Sequence, residues 1–295
     1  MDQLRIKSVD HFVEKDPAQG VDRSYIYYTS LSRHHITKKQ EIDLIETKHL
    51  GRMLFLDKVL QSTTRDEIIY HNTLVHPLLE SLDDKSRVLI LGGGEGATLR
   101  EVLRWTAVRT ATMVEYDMEL LQIMLKHEYS WAMGAFSDSR TKLIVDDAWK
   151  YMVSCPKFNA VIIDLTDPDI QRDNWTNLMK MVMEAIAPLR GGFVMNAGPY
   201  IPWNTHNLKE IKKMIENICL QYKDYKYYVY TTFVPSFNSE WTFFAMMHKS
   251  RFMTEPEYVT VIPEWIRRNI RVLPNKLIDT PANTAPLMTC IPPTT

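Results

Sequence analysis

An apolar run that breaks into glycines around a single acid most constrains the fold of this chain. Residues 88–91 read Val-Leu-Ile-Leu, and residues 92–96 read Gly-Gly-Gly-Glu-Gly. An apolar run followed by glycines and a helical stretch is typical of a buried parallel strand and the tight turn after it. Gly92, Gly94 and Gly96 have the Gly-x-Gly-x-Gly spacing that lets a nucleoside lie close against the backbone. The sequence therefore predicts a nucleoside site at this turn.

Glu95 makes this turn unusual. It places a carboxylate where phosphate-binding turns present neutral backbone amides. A negative charge at that point repels a phosphate and attracts a cation. Glu95 therefore favours a positively charged nucleoside, such as a sulfonium, over a phosphorylated dinucleotide.

Length and composition indicate a globular chain with one sizeable core and a small second domain. The chain has 295 residues, of which 45% are hydrophobic and 24% are charged. A formal net charge of −1 gives no support to a nucleic-acid or membrane partner. Cys155, Cys219 and Cys290 lack metal-ligand or redox spacing, and the first residues do not open a signal peptide. We therefore expect a cytoplasmic protein.

The first part of the chain predicts a small β domain. Short alternating segments at residues 24–28, 41–47 and 52–56 are typical of antiparallel strands. Apolar spacing over residues 66–82 then predicts a helix. We place the N-terminal domain at residues 1–65.

From residue 87 onward the pattern alternates between strands and helices. The later strands are predicted at residues 110–114, 142–145, 160–164 and 192–195, and the helices at residues 97–105, 118–126, 147–153 and 175–187. This alternation implies an α/β fold with a parallel sheet, here over residues 66–250. After a helix at residues 207–221, residues 227–232 and 241–247 are predicted as an antiparallel edge pair. Residues 251–295 are predicted to be a C-terminal extension, irregular from Pro274 onward.

Acidic residues follow four of the predicted parallel strands. Glu95 follows the first, and Glu115 comes 20 residues later, the distance typical of an acid that binds ribose hydroxyls. Asp147 and Asp164 follow the next two, with Asp167 shortly after. Because ligands bind beyond the carboxyl ends of parallel strands, these carboxylates are expected to line one crevice.

Each acid also has a simpler interpretation. Asp147 is either a helix N-cap or a ligand group, and Asp117 is expected to be a cap. Asp164 is harder to explain as a cap, because it directly follows a buried strand. His71 and His76, five residues apart, do not share a helix face, so we expect no zinc site. A polyamine would satisfy the crowded acids without a metal.

These residues and motifs resemble the spermidine and spermine synthase family of aminopropyltransferases. The resemblance covers roughly residues 40–247, and its segments are residues 56–63, 65–71, 92–102, 114–117, 145–148 and 164–168. It implies an N-terminal β domain that mediates homodimerisation and covers the substrate pocket. It also implies a Rossmann-like, methyltransferase-type catalytic domain. Decarboxylated S-adenosylmethionine would be the co-substrate, with no further cofactor and no metal.

The resemblance also implies roles for individual residues. It assigns donor binding to Gln40, Gln61, Gly92, Gly94, Glu95, Gly96, Glu115 and Asp147. Among these, Glu115 would bind the ribose, Asp147 the adenine amino group and Glu95 the propylamine end. It assigns acceptor binding to Asp167, Tyr70, His71, Phe237 and Trp241. Tyr70 and Asp164 would position and deprotonate the attacking amine.

Two segments depart from the pattern of spermidine synthases. Residues 169–175 replace a Gly-Pro-rich segment, and residues 235–237 read Pro-Ser-Phe where a Pro-Thr-Tyr segment is expected. In these features, and in Glu95, the chain looks more like thermospermine and spermine synthases, which puts spermidine slightly ahead of putrescine as acceptor. Phe237 and Trp241 are equally compatible with ordinary core packing. Two further hypotheses remain open: an S-adenosylmethionine-dependent amine N-methyltransferase, and a non-catalytic polyamine-binding member of the family.

Overall fold

The computed structural model describes residues 8–16, 20–127, 129–170, 174–251 and 271–272. Most of the predicted C-terminal extension lies outside the described residues, including the whole segment from Pro274. Within the described part of the chain, no helix is both long enough and apolar enough to cross a membrane.

Described residues between Val9 and Thr63 form a six-stranded antiparallel sheet. Its strands are β1 (Val9–Asp16), β2 (Val21–Tyr28), β3 (Arg33–Ile36), β4 (Glu41–Thr47), β5 (Gly51–Leu56) and β6 (Val59–Thr63). Their order is β1-β2-β4-β5-β6, and β3 pairs with β4. The three strands predicted here are β2, β4 and β5, so the sequence prediction missed β1, β3 and β6. The sheet ends next to the domain boundary predicted at residue 65, and the division into domains itself stays a prediction.

Alternating strands and helices make up the rest of the described chain. The strands are β7 (Arg87–Gly92), β8 (Thr110–Glu115), β9 (Thr141–Val145), β10 (Ala160–Asp164), β11 (Gly192–Tyr200), β12 (Tyr225–Val234), β13 (Ser239–His248) and β14 (Arg271–Val272). The helices are α1 (Glu67–Ser81), α2 (Ala97–Leu103), α3 (Met118–His127), α4 (Tyr129–Ala132), α5 (Ala148–Met152), α6 (Trp175–Ile186) and α7 (His206–Gln221). The predicted alternation is confirmed, and only α4 and β14 have no predicted counterpart.

These strands form one eight-stranded sheet with the order β14-β12-β13-β11-β10-β7-β8-β9. Strands β11, β10, β7, β8 and β9 are parallel, and β13 and β12 add to them in antiparallel pairings. The strand order reverses between β7 and β10, where a doubly wound sheet opens its ligand crevice. The α/β fold class with an N-terminal antiparallel sheet is thus confirmed.

Strand β11 is five residues longer than predicted. The prediction ended it at Met195, and Gly198 and Pro199, which are residue types that usually interrupt strands, come shortly after. In the structure, the register with β13 shifts between Asn196 and Pro199. Such a bulge lets the strand continue past both residues, so Asn196 reaches the crevice end of the sheet.

The glycines of the turn are required by protein packing as much as by a ligand. Gly92 has a φ of +83°, and a Cβ there would lie 2.3 Å from the backbone oxygen of Asp164. Gly96 has a φ of +87°, and its Cβ would lie 2.6 Å from Phe136 Cζ and 2.7 Å from Ala132 Cβ. Close approach of β7 to β10, and of α2 to the segment after α4, therefore depends on these two positions.

We expect Gly96→Ala to lower the free energy of unfolding by about 2–4 kcal/mol, from the left-handed φ and the clash together. Gly20→Ala is the matched control, because Gly20 has a φ of +69° but nothing within 4 Å of its Cβ position. Chemical denaturation of the two variants would separate backbone strain from the clash. Equal losses would show that Phe136 and Ala132 move aside without cost.

One carboxylate joins the two sheets. Asp66, buried just before α1, accepts from Thr63 Oγ1 at 2.6 Å and from the backbone N–H of Ser236 at 2.7 Å. Thr63 ends the N-terminal sheet, and Ser236 lies in the connection between β12 and β13. Phe237, the next residue, is therefore fixed relative to both sheets.

Candidate active site

A cavity of about 590 Å³ lies at the carboxyl ends of the parallel strands. Of the predicted site residues, it is lined by Gln40, Gln61, Tyr70, His71, Gly92, Gly94, Glu95, Glu115, Asp147, Asp164, Asp167, Phe237 and Trp241. Gly96 is the exception, because it faces Ala132 and Phe136 instead of the cavity. The volume is within the range of small-molecule sites.

Asp164 ends β10 and lies in the middle of this cavity. Its Oδ1 accepts from the Tyr70 hydroxyl at 2.9 Å, and its Oδ2 accepts from Thr98 Oγ1 at 2.5 Å. Tyr70 comes from α1 and Thr98 from α2, so two helices fix the orientation of one carboxylate. The sequence analysis missed Thr98, which carries no motif of its own.

Burial and charge change the acid–base properties of this pair. Burial, together with the nearby Glu95 carboxylate, raises the pKa of Asp164, while His71, Thr98 and Tyr70 oppose that rise. Burial and Asp164 raise the pKa of Tyr70 well above its usual range, so the phenol stays protonated and donates a hydrogen bond to Asp164. Asp164 is consequently a stronger base than an exposed aspartate, and it is held in one orientation.

His71 lies between two carboxylates. Its Nδ1 is 2.9 Å from Glu67 Oε2, and its Nε2 is 2.8 Å from Glu95 Oε1. The residue is 2% exposed, and although burial favours the neutral form, the two carboxylates raise its pKa well above the usual value. His71 is therefore a buried cation that donates to both acids.

This pairing bears on three expectations. The resemblance assigned His71 to the acceptor, but both of its nitrogens already have carboxylate partners. Glu95 was expected to attract a ligand cation, and in the structure it already has His71 as a partner. Crowded carboxylates were expected to need a cation among them, and the protein supplies that cation itself.

On the β8 side of Asp164, the cavity is lined by groups suited to a nucleoside. Glu115 is buried at the end of β8 and accepts from the backbone N–H of Asp117 at 2.9 Å. Burial raises its pKa to about 7. Gln40 donates to Asp117 at 2.9 Å, which ties the N-terminal sheet to this end of the cavity. As predicted, Asp117 caps its helix, accepting from the backbone of Glu119 at 3.0 Å.

Asp147 has both of the properties that the sequence left open. It caps α5 by accepting from the backbone N–H of Lys150 at 3.0 Å, and it lines the cavity. The cap uses Oδ1 only. One carboxylate can therefore orient the helix and still present an oxygen to a ligand.

On the β11 and β13 side of Asp164, the cavity combines one acid with aromatic rings. Asp167 Oδ1 accepts from Asn196 Nδ2 at 3.1 Å, and Asn196 in turn accepts from Trp241 Nε1 at 2.7 Å. The rings of Phe237 and Trp241 lie 4.4 Å apart. A second cavity of about 300 Å³ begins at the same three residues, Asp167, Phe237 and Trp241, and continues toward Glu14.

Two clusters within the described residues have metal-ligand composition. His71, Glu95 and Asp164 are one of them, and its histidine donates to carboxylates through both nitrogens. The other is His34, Glu41 and Asp43. There the Lys58 ammonium lies 2.5 Å from Glu41 and 2.7 Å from Asp43. In both clusters a cationic side chain already balances the acids.

Comparisons with known proteins show which family this chain belongs to. A model described as the spermine/spermidine synthase domain matches residues 67–256. A polyamine aminopropyltransferase of Sulfolobus acidocaldarius is 39% identical over 211 residues, which is 69% of this chain and 67% of that protein. One of Saccharolobus solfataricus is 35% identical over 243 residues, or 80% and 78% of the two chains.

A likeness in fold extends over nearly the whole chain. The spermidine synthase of Thermotoga maritima superposes with a TM-score of 0.77 at 21% identity, covering 95% of this chain and 97% of that chain. At this level of identity, the match shows that the fold is shared.

Proposed function

The chain belongs to the spermine/spermidine synthase family and is a polyamine aminopropyltransferase, and we propose how its residues carry out the transfer and which acceptor it takes. The donor is decarboxylated S-adenosylmethionine, and 5′-methylthioadenosine is the leaving product. The single observation that carries the proposed mechanism is Asp164, fixed by Tyr70 and Thr98 at the centre of the cavity. The two other hypotheses, N-methyl transfer and a non-catalytic role, are set aside because the curated relatives are polyamine aminopropyltransferases.

In the proposed reaction, an acceptor amine attacks the aminopropyl carbon bonded to the sulfonium. A nitrogen–carbon bond forms, the carbon–sulfur bond breaks, and its electron pair goes to sulfur, which becomes a neutral thioether. An alkylammonium has a pKa near roughly 10 and must lose a proton before it can attack. Asp164 takes that proton, since its raised pKa makes it a stronger base than an ordinary aspartate. Holding donor and acceptor in line supplies much of the remaining rate enhancement.

We assign each part of the donor to the cavity residues whose chemistry fits it. Glu115 would accept from the ribose hydroxyls, Asp147 from the adenine amino group, and Glu95 from the ammonium at the end of the propyl chain. Gln40 and Gln61 would complete the nucleoside end. S-adenosylmethionine would bring an additional carboxylate close to Glu95, and like-charge repulsion would disfavour it.

The raised pKa of Glu115 makes nucleoside binding dependent on pH. Only the ionised carboxylate can accept from both ribose hydroxyls, and it gains a proton as the pH falls through about 7. We expect the Kd of 5′-methylthioadenosine to rise about tenfold from pH 8 to pH 6, the ratio that one protonation with this pKa produces. Isothermal calorimetry would measure this. Glu115→Gln should bind weakly at both pH values, and an equally pH-dependent Kd in that variant would contradict the assignment.

Asp167 is proposed to bind a second nitrogen of the acceptor. Its carboxylate is held by Asn196, and the neighbouring rings of Phe237 and Trp241 offer a surface for methylene groups. The second cavity beyond Asp167 gives room for a longer chain. This room supports spermidine ahead of putrescine as the acceptor.

Product identification tests the acceptor directly. Purified protein would be given decarboxylated donor with equal concentrations of putrescine and spermidine, and the products would be separated by chromatography. We expect tetraamine to form faster than triamine. Predominant conversion of putrescine would reverse the acceptor assignment, and failure to release methylthioadenosine with either amine would contradict the activity itself.

A homodimer formed through the N-terminal sheet is also proposed. Apolar side chains of β1 and β2 are exposed, notably Val9 at 56% and Ile26 at 58%, with Val13 at 49%. Burial of such a face against a second copy would remove apolar area from water. Sedimentation analysis should show a dimer for the parent protein and a shift toward monomer for Ile26→Lys. A monomeric parent protein would contradict the proposed dimer.

A further inference from the structure

A series of buried charge pairs leads from α2 through α1 to the wall of the cavity. Arg100 donates through Nη1 and Nη2 to the two oxygens of Glu67, each at 2.9 Å. Glu67 contacts His71 at 2.9 Å, and His71 contacts Glu95 at 2.8 Å. The exposed fractions of the Glu67, His71 and Arg100 side chains are 9%, 3% and 12%. Only the last two members of the series, His71 and Glu95, line the cavity.

Glu67 is placed so that it can act on the cavity only through His71. The two residues are one helical turn apart on α1, the spacing at which side chains on a helix meet. The bidentate contact with Arg100 fixes the plane of the Glu67 carboxylate. His71 Nδ1 lies 2.9 Å from Glu67 Oε2 and 2.8 Å from the Glu67 backbone oxygen, so both groups of Glu67 fix the orientation of the imidazole, and the carboxylate adds the negative charge.

We propose that Glu67, oriented by Arg100, is a positioning residue that keeps His71 donating to Glu95, and thereby holds the Glu95 carboxylate where it binds the ammonium of the donor. The inference rests on the proposed function, because it assumes that Glu95 binds that ammonium. It adds two residues outside the cavity, Glu67 and Arg100, to the determinants of donor binding.

Charge supports this geometry. The titratable groups that face His71 are Glu67, Tyr70, Glu95 and Asp164. The hydrogen bonds that Glu67 and Glu95 accept from His71 raise its pKa well above its usual value, against the effect of burial. His71 in turn opposes the rise in the pKa of Asp164. The charge on His71 therefore influences both the donor-binding acid and the proposed base.

Removing the charge of Glu67 should displace the Glu95 carboxylate. In Glu67→Gln, the amide oxygen can still accept from His71 Nδ1, but the pKa of His71 falls because one anion is gone. Once neutral, the ring keeps its proton on Nδ1, because the backbone oxygen of residue 67, 2.8 Å away, can only accept, and it turns the lone pair of Nε2 toward Glu95. The two acceptors then repel each other, and the Glu95 carboxylate leaves its position.

The test compares Glu67→Gln with Glu101→Gln across pH 6 to pH 8.5. Both changes convert a buried acid that contacts Arg100 into its amide, but Glu101 pairs with His76 and has no described contact with His71. The measured quantity is the donor KM of Glu67→Gln divided by that of the parent protein at the same pH. We expect this ratio to be close to one at pH 6 and to reach at least about ten at pH 8.5. The kcat of Glu67→Gln should change by a smaller factor than its donor KM. Glu101→Gln should show a pH-independent ratio.

A purely structural role for Glu67 would give the same pH-independent ratio in both variants, and that result would overturn the proposal. Arg100→Lys provides a second variant if Glu67→Gln does not fold. It keeps the charge, loses the bidentate contact and should shift the donor KM in the same direction by a smaller factor. Methylthioadenosine release by the parent protein is measured first, so a failure of the activity is seen separately from a failure of this inference.

Discussion

Asp164→Asn is expected to lower turnover about 10²- to 10⁴-fold while leaving nucleoside binding nearly unchanged. The asparagine keeps the shape of the side chain and can still accept from Tyr70, so the cavity should retain its form. It cannot take a proton from an ammonium, however, and the attacking amine would stay protonated. Steady-state release of methylthioadenosine would measure the first effect, and calorimetry with that nucleoside would measure the second.

A surface aspartate serves as the control for this substitution. Asp138 pairs with Arg140 at 2.8 Å, and neither residue lines the cavity. Asp138→Asn should leave turnover within about twofold. Turnover of Asp164→Asn within tenfold of the parent value would remove Asp164 from its role as base and return that step to solvent.

Arg100→Met is expected to lower the free energy of unfolding by about 3–5 kcal/mol, because it leaves two buried acids without their shared cation. Arg100 contacts Glu67 at 2.9 Å, Glu101 at 2.8 Å and the backbone oxygen of Trp131 at 2.6 Å. The two acids have side chains that are only 9% and 1% exposed. Urea denaturation followed by circular dichroism would measure the loss.

Arg104 offers a matched comparison on the same helix surface. It donates to Glu101 at 2.9 Å, but its side chain is 56% exposed. Arg104→Met should cost about 0–1 kcal/mol, as is usual for exposed pairs. Similar losses in the two variants would mean that burial of the Arg100 pairs adds nothing to stability.

The sequence alone predicted the crevice well because of parallel topology. Strands that alternate with helices all end at the same edge of the sheet, so an acid after each strand must approach the others. Glu115 and Asp164 are placed by this rule alone. Their positions can be predicted from the strand bounds alone, without knowing how the side chains pack.

Contacts between distant helices could not be predicted in the same way. Arg100 lies 33 residues from Glu67, and Glu95 lies 24 residues from His71. No spacing rule relates side chains on α1 to those on α2, because their contact depends on how the two helices cross. The sequence therefore indicated an isolated acid at Glu95, where the structure has an ion-paired one.

Edge strands and bulges account for most of the missed elements. Strand β1 leaves Val9 and Val13 exposed, so its apolar residues do not mark a buried face. Strand β11 passes through a glycine and a proline that usually end strands, and the bulge that permits this arises from pairing with β13. In both cases the partner strand determines the outcome.

The bonds of Asp66 also bear on how amine preference can change during evolution. Asp66 ties the end of β6 to the connection that carries Phe237, although no residue from 64 to 66 lines either cavity. An insertion in this short connection would shift the aromatic wall beside the acceptor without altering any residue that touches it. We therefore expect relatives with different amine preferences to differ in the length of this connection as well as in the residues of the wall.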